Sequence, residues 1–199
     1  MKKIMMKTML ATALLAGSIS GQVGSAHATA AKPTAAPIMR DNLSKYGLVK
    51  DVELPVTVTA GGLSYTLEKI MIFDAKSKDA QALAKQYGYN LDGFQYFLWT
   101  KITVENKSGN VVQQNVKDLS AKWRLNFGDL SKGEAFGAMP EASYYKPNSK
   151  QALWDWSLKP GEKLSTYQGY LYSGDFNYFK VSVDYKGQFV SKYIVKPKA

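Results

Sequence analysis

The chain contains no cysteine and only one histidine, His27. Without cysteine there is no disulfide framework and no thiol nucleophile, and zinc sites built on Cys and His ligands are excluded. The lone histidine lies in a segment that reads as an export signal. Lys2, Lys3 and Lys7 form a positive n-region, Met9 to Gly17 a short apolar h-region, and Ala26-His27-Ala28 and Ala28-Thr29-Ala30 overlapping small-x-small cleavage sites. Cleavage after Ala28 or Ala30 would leave 171 or 169 residues with neither His nor Cys. The Ser-His-Asp and Cys-His arrangements would then be out of reach. No G-x-S-x-G elbow and no D-x-D-x-D-G calcium loop occurs either. No apolar run reaches the ~20 residues that a membrane-spanning helix needs. No lipid-attachment cysteine follows the h-region.

What is present is basic charge and aromatic surface. The formal net charge is +10, and loss of the three signal lysines leaves +7. The lysines are scattered rather than blocked, which argues against nucleic acid and for attraction to anionic polymers at a cell surface. The expected location is therefore secreted and extracellular, with electrostatic retention at the cell wall. The expected partner is a protein or a cell-wall glycan or other anionic polymer. No cofactor and no metal are expected.

The chain divides into a signal peptide (1–30), a flexible leader (31–48) rich in Ala, Pro and Lys, and one domain (49–199). The domain reads as strands. Val52 to Thr59 is β-branched, with Pro55 marking an edge strand. In Leu63 to Phe73 the apolar residues switch from odd (Leu63, Tyr65, Leu67) to even positions (Ile70, Ile72), as a β-bulge would require. Gly93 to Asn106 is apolar on both faces in its first half and so reads as central. Val111 to Val116, Ala121 to Phe127, Lys163 to Tyr172, Phe179 to Tyr185 and Phe189 to Val195 complete the set, separated by Gly, Asn and Pro turns. Ala75 to Tyr87 lacks β-branched residues and predicts a short helix. Gly128 to Lys150 reads as one long loop. Trp99 and Trp123, on alternating strands, are expected in the core. The fold class that follows is all-β: an antiparallel β-sandwich with a helical insert and one long loop.

Two segments carry a resemblance. An aromatic strand runs into Glu105-Asn106-Lys107-Ser108-Gly109, and Leu158-Lys159-Pro160-Gly161-Glu162 precedes a Tyr-rich strand. Together they resemble the immunoglobulin-like domains of uncharacterised function found in secreted proteins and lipoproteins of Gram-positive bacteria. The resemblance spans roughly 49–196, implies an immunoglobulin-like sandwich, and implies no catalytic residue set.

The candidate ligand-binding residues are Tyr144, Tyr145, Trp154 and Trp156, because Tyr and Trp offer an apolar face with a polar tip. In an extended Trp154-Asp155-Trp156 both indoles point the same way. The expected function is a secreted, non-enzymatic binding module. Two alternatives remain. One is a polysaccharide-active enzyme using paired carboxylates drawn from Glu134, Glu141 and Asp155. The other is an inhibitor or signalling ligand acting through the 128–150 loop.

Overall fold

The computed structural model describes residues 39–198, apart from 116–119, 121, 129–132, 139–145, 152 and 154. Order begins earlier than the leader's length suggests. A 3-10 turn spans Leu43–Tyr46, and Leu43 and Leu48 are both buried. The Asn42 carboxamide clamps this turn to the sheet, donating to Ile72 O at 2.6 Å and accepting from Ile72 N at 2.9 Å. A flexible leader up to residue 48 is thus corrected for 39–48. Two leucines and one asparagine carry no periodicity, and what orders them is tertiary.

Among the described residues ten strands follow: β1 Val56–Ala60, β2 Leu63–Asp74, β3 Tyr96–Asn106, β4 Val112–Gln114, β5 Trp123–Asn126, β6 Glu134–Gly137, β7 Trp156–Leu158, β8 Lys163–Tyr172, β9 Phe179–Tyr185 and β10 Gln188–Val195. The helix α1, Lys78–Tyr87, lies between β2 and β3. Eight strands form one antiparallel sheet in the order β1-β2-β3-β8-β6-β5-β9-β10, and β4 pairs separately with β7. The sheet curls until its ends approach. Asp51 N donates to Ile194 O at 2.8 Å, and Gly61 N donates to the Gln188 carboxamide at 2.8 Å. The described residues are mostly β, antiparallel and nearly barrel-like, with one α-helix among them. The expected division into two separate sheets is the part that this strand order does not show, because β6 joins the halves. Its first residues pair with β5 (Leu125↔Ala135) and its last with β8 (Phe136↔Leu171).

β6 also corrects the long loop expected over 128–150. Phe127 N donates to Gly133 O at 2.6 Å, and a Cβ on Gly133 would sit 2.2 Å from the Gly128 carbonyl. Two glycines let the chain double back into a strand of four residues, too short for alternation to be seen.

The parity switch in β2 is a bulge: the register with β3 shifts between Leu67 and Lys69. Leu63, Tyr65 and Leu67 before it, and Ile70 and Ile72 after it, therefore all reach the same core. β3 is apolar on both faces because each face has its own cover. Leu98, Ile102 and Val104 enter the barrel interior, while Phe97 and Trp99 lie under α1. α1 starts at Ser77, whose hydroxyl accepts from Ala80 N, and stops at Gly88 in the left-handed region at φ 71°. Ala80, Leu83, Ala84 and Tyr87 are its buried stripe.

The two segments that carry the resemblance touch through Asn106, which is fully buried. Its Nδ2 donates to Asn110 O at 2.7 Å and Leu158 O at 2.9 Å, while its Oδ1 accepts from Ser108 N at 2.9 Å and Ser108 Oγ at 2.7 Å. Its backbone N donates to Glu162 O and its backbone O accepts from Gly161 N. These segments form a structural lock in which every polar atom of one buried carboxamide is used.

Candidate functional site: the seam beneath β6

Because β6 is short, it spans only part of the gap between β5 and β8. Beside it opens a cleft of about 320 Å³. Its deep wall is Tyr65, Trp123, Tyr170 and Gln168, and its outer wall includes Lys122, Arg124, Glu134 and Phe136. Strand alternation sorts the two layers. Trp123 pairs with Val183 and points inward, while Arg124, opposite Ser182, lies on the outer side. Phe136 is 64% exposed, the most open aromatic ring of the wall.

Trp123 stacks on Tyr65 with ring centroids 5.0 Å apart, and Trp156 meets Tyr65 edge-on at 6.3 Å. Burial pushes the Tyr65 phenol well above its ordinary pKa, and the nearby Tyr170 adds to the effect. Burial likewise pushes Tyr170 up, partly offset by the Trp123 indole N–H, which faces the phenol oxygen without completing hydrogen-bond geometry. Both phenols are therefore neutral at physiological pH, serving as hydrogen-bonding groups rather than nucleophiles. Gln168 is 2% exposed. Its Nε2 donates to Ala138 O at 2.9 Å and Gly169 O at 2.7 Å. Two carbonyls on that side fix the amide's orientation, since a flip would set oxygen against oxygen. Its Oε1 then has no donor among the described residues. An unpaired buried acceptor costs the fold ~1–3 kcal/mol.

At the outer wall Arg124 Nε lies 3.5 Å from Glu134 Oε1, both side chains being partly exposed. Lys122, itself buried, donates from Nζ to Ser120 Oγ at 3.1 Å. No group of three or more potential metal ligands occurs among the described residues.

Of the expected ligand residues, Tyr144, Tyr145 and Trp154 lie outside the described residues. Trp156 is corrected: it is 0% exposed in β7 and packs on Tyr65, so it braces the cleft's floor from inside and offers no face to a ligand. Its indole is buried because β7 lays the small β4-β7 sheet over the barrel core, a pairing between segments more than forty residues apart. Trp99 and Trp123 are buried as expected. Of the carboxylates, Glu134 is paired with Arg124, Asp155 is half-buried with its backbone O accepting from Asn148 N, and Glu141 is outside the described residues. The cleft's own residues, Gln168 and Tyr170 above all, were not singled out. They sit in a strand that reads as core, both are buried, and they border the cleft from its inner side.

No family model matches the chain, and no curated protein matches it. Among solved structures, it is similar to the lipoprotein candidate ycdA of Bacillus subtilis at 12% identity and TM-score 0.45. That match covers 72% of this chain and 39% of ycdA, so this chain spans well under half of its length. It is similar to yjhA of Bacillus subtilis at 14% identity and TM-score 0.39, over 64% of this chain and 76% of yjhA. A Listeria monocytogenes protein of unknown function is similar at 9% identity and TM-score 0.42, over 71% of this chain and 81% of that one. All three come from Gram-positive bacteria. Likenesses this distant carry no function across.

Proposed function

We propose that this chain is a secreted, non-enzymatic binding module of the bacterial surface, and that the seam cleft is its binding site. The observation that carries the reading is the cleft: a concave opening through the sheet, aromatic at its base and polar in its wall, of the kind in which barrel folds hold ligands. Among the described residues its lining has one carboxylate, Glu134, and neutral phenols. That inventory suits recognition better than general acid–base chemistry, which would draw on a second titrating group. The basic charge favours retention at an anionic wall. We also read the fold as an immunoglobulin-like sandwich whose sheets, β1-β2-β3-β8 and β5-β9-β10, are bridged by β6.

Gly137 provides the test. Its φ is not left-handed, and a Cβ there would lie 3.8 Å from Gln168 Nε2 and from a Tyr170 ring carbon. Gly137→Val thus adds bulk at the cleft, with its Cβ at ordinary van der Waals distance from its neighbours. Wild-type protein applied to intact cells of the source strain should be retained, and salt should release the electrostatic part. Gly137→Val should lose the salt-resistant remainder. Unchanged retention would remove the cleft from consideration.

A further inference from the structure

We infer that the turn-bearing end of the barrel beside β10 docks on an anionic lipid bilayer, with the tip of the β9–β10 hairpin entering the headgroup layer. This surface is separate from the seam cleft. Tyr185 pairs with Gln188, and the Lys186-Gly187 turn between them has positive φ at both residues, 52° and 72°, a type I′ turn. Just past the turn Phe189 is 60% exposed, and Val190 is exposed as well. Consecutive strand residues leave opposite faces, so the hairpin end stands clear of the barrel on both sides. Neighbouring turns extend this end. A Cβ on Gly61 would stand 2.8 Å from Tyr185 O, and one on Gly62 would stand 2.8 Å from the Ser108 side chain. Gly161 N in turn donates to Asn106 O at 2.7 Å, at the head of the Ser108 turn. The four turns are therefore in contact, and Val111 and Pro160 are exposed beside them.

Lysines surround the apolar tip. Lys186 stands in the turn itself, Lys192 two residues beyond Val190, and Lys107 and Lys159 on the adjoining turns. Lys107 shares Glu105 with Lys163, at 3.6 and 3.2 Å. Lys159, Lys186 and Lys192 have no carboxylate partner among the described residues. The other carboxylates here are Glu162, whose Oε2 accepts from Lys159 N at 2.7 Å, and Asp184, across from Phe189. Lys186 is the most telling of the cations. Its left-handed backbone suits Asn or Gly, and a lysine adopts it at a cost. A cation set at the apex of a hairpin against local preference, three residues from an exposed phenylalanine, has a use where the apex meets negative charge. Shape then selects the occupant. A stable protein partner covers ~800 Å² of each side, and one such surface closes over one face of a hairpin. A fluid headgroup layer surrounds both Phe189 and Val190 while its phosphates meet the lysines. An anionic polymer would engage the lysines and leave both apolar side chains in water.

The test is Phe189→Trp in the full chain, titrated with vesicles of phosphatidylglycerol and phosphatidylcholine. Residues 1–30 hold three lysines and an apolar run and would draw the chain to vesicles by themselves, so the probe sits at the tip. Emission of the introduced indole, taken as the difference from wild type, should shift to the blue and be quenched by brominated lipid. Vesicles of phosphatidylcholine alone should give a weaker response at equal lipid. Adding Lys186→Asn should raise the lipid concentration at half-shift about fivefold, while the melting temperature holds or rises because Asn suits the turn. Adding Gly137→Val, at the cleft, should leave that concentration unchanged. An indole that keeps its aqueous emission on anionic vesicles, whether or not the protein sediments with them, would overturn the inference. An equal response on neutral vesicles, or an unchanged half-shift with Lys186→Asn, would overturn the anionic requirement. The same blue shift with polyphosphate alone, and no quenching by brominated lipid, would assign this end to an anionic polymer instead.

Discussion

The strand β8 has two faces that differ in what covers them. On one face Tyr167 and Leu171 flank Gly169, and α1 with its following loop closes over them through Tyr87 and Tyr89, with Phe97 and Trp99 of β3 in the same cluster. Trp99 stacks on Tyr167 with ring centroids 5.4 Å apart and planes 3° from parallel. Gly169 is bare because the Phe97 and Tyr89 rings occupy the place of its side chain: a Cβ there would lie 2.8 Å from the Phe97 ring and 3.1 Å from that of Tyr89. On the other face Gln168 and Tyr170, one residue either side, look toward the seam. A ten-residue helical insert seals the first face. Over the second, the cover among the described residues is a four-residue strand with a cleft beside it, although Gln168 and Tyr170 are themselves buried. The difference between packed core and cleft is therefore a matter of cover length, and it separates residues adjacent in sequence.

The most forceful way to break the comparison is to remove one indole from each face. Trp99→Ala should cost ~3–5 kcal/mol, since the residue is fully enclosed by four rings and the void cannot collapse. Trp123→Ala should cost less than Trp99→Ala, because Trp123 already borders open volume at the cleft. Denaturant midpoints of the two variants measure this directly. Equal losses would mean that the seam is as tightly packed as the helix-covered face.

A smaller effect is expected from one methyl group. Gly169→Ala should destabilise by ~1–3 kcal/mol, because the Phe97 and Tyr89 rings must shift within a packed cluster. It should also weaken the contact in which Gly169 N donates to the Tyr89 hydroxyl at 3.3 Å. A shift in the near-ultraviolet circular dichroism of the tyrosines would accompany the lower melting temperature.

Phenols serve both faces, and titrating them separates the faces in another way. Burial pushes Tyr89 up on the covered face, and burial with the neighbouring Asp175 pushes Tyr172 up to about 12 at the far end of β8. The folded protein thus holds its phenolic protons through a range, above the ordinary value near 10, in which the unfolded chain releases them. Stability contributed by these groups is fully present below pH 10 and falls as pH rises from 10 towards 12. Melting temperature should be insensitive to these groups near neutrality and drop across that window. An unchanged melting temperature up to pH 12 would contradict the enclosure of both phenols.

How much of this was legible in the chain depends on which interactions are local. The odd-to-even switch around Glu68 announced the bulge because it depends only on side-chain parity. β8 and β9 have the expected bounds, and α1 follows from the absence of β-branched residues over Ala75 to Tyr87, although it starts only at Lys78. The double-sided apolar half of β3 marked a central strand, although the second cover, a helix, is not visible in the pattern itself. β6 was hidden because four residues cannot show a period, and Gly133 looked like a loop residue when it is the closest approach in a hairpin. Trp156 was misplaced for the same reason as Leu43. Each is buried by a partner distant in sequence, β4 and the sheet edge at Ile72 respectively, and no local signal records either partner. The cleft is the extreme case, a gap between strands that pair elsewhere.

The smallest expected effect on stability is the most useful contrast. Gly137→Val adds three carbons on the seam side, where the nearest atoms to its Cβ stand at 3.8 Å, and valine suits an exposed strand position. Its melting temperature should stay within the shift that ~0.5 kcal/mol produces, as for ordinary surface substitutions. The single methyl of Gly169→Ala, across the same strand, should cost several times more. Stability lost in Gly137→Val to the extent seen in Gly169→Ala would show that the seam is closed in solution. Stability retained, with surface binding gone, separates a site held open by the fold from a core that merely fits.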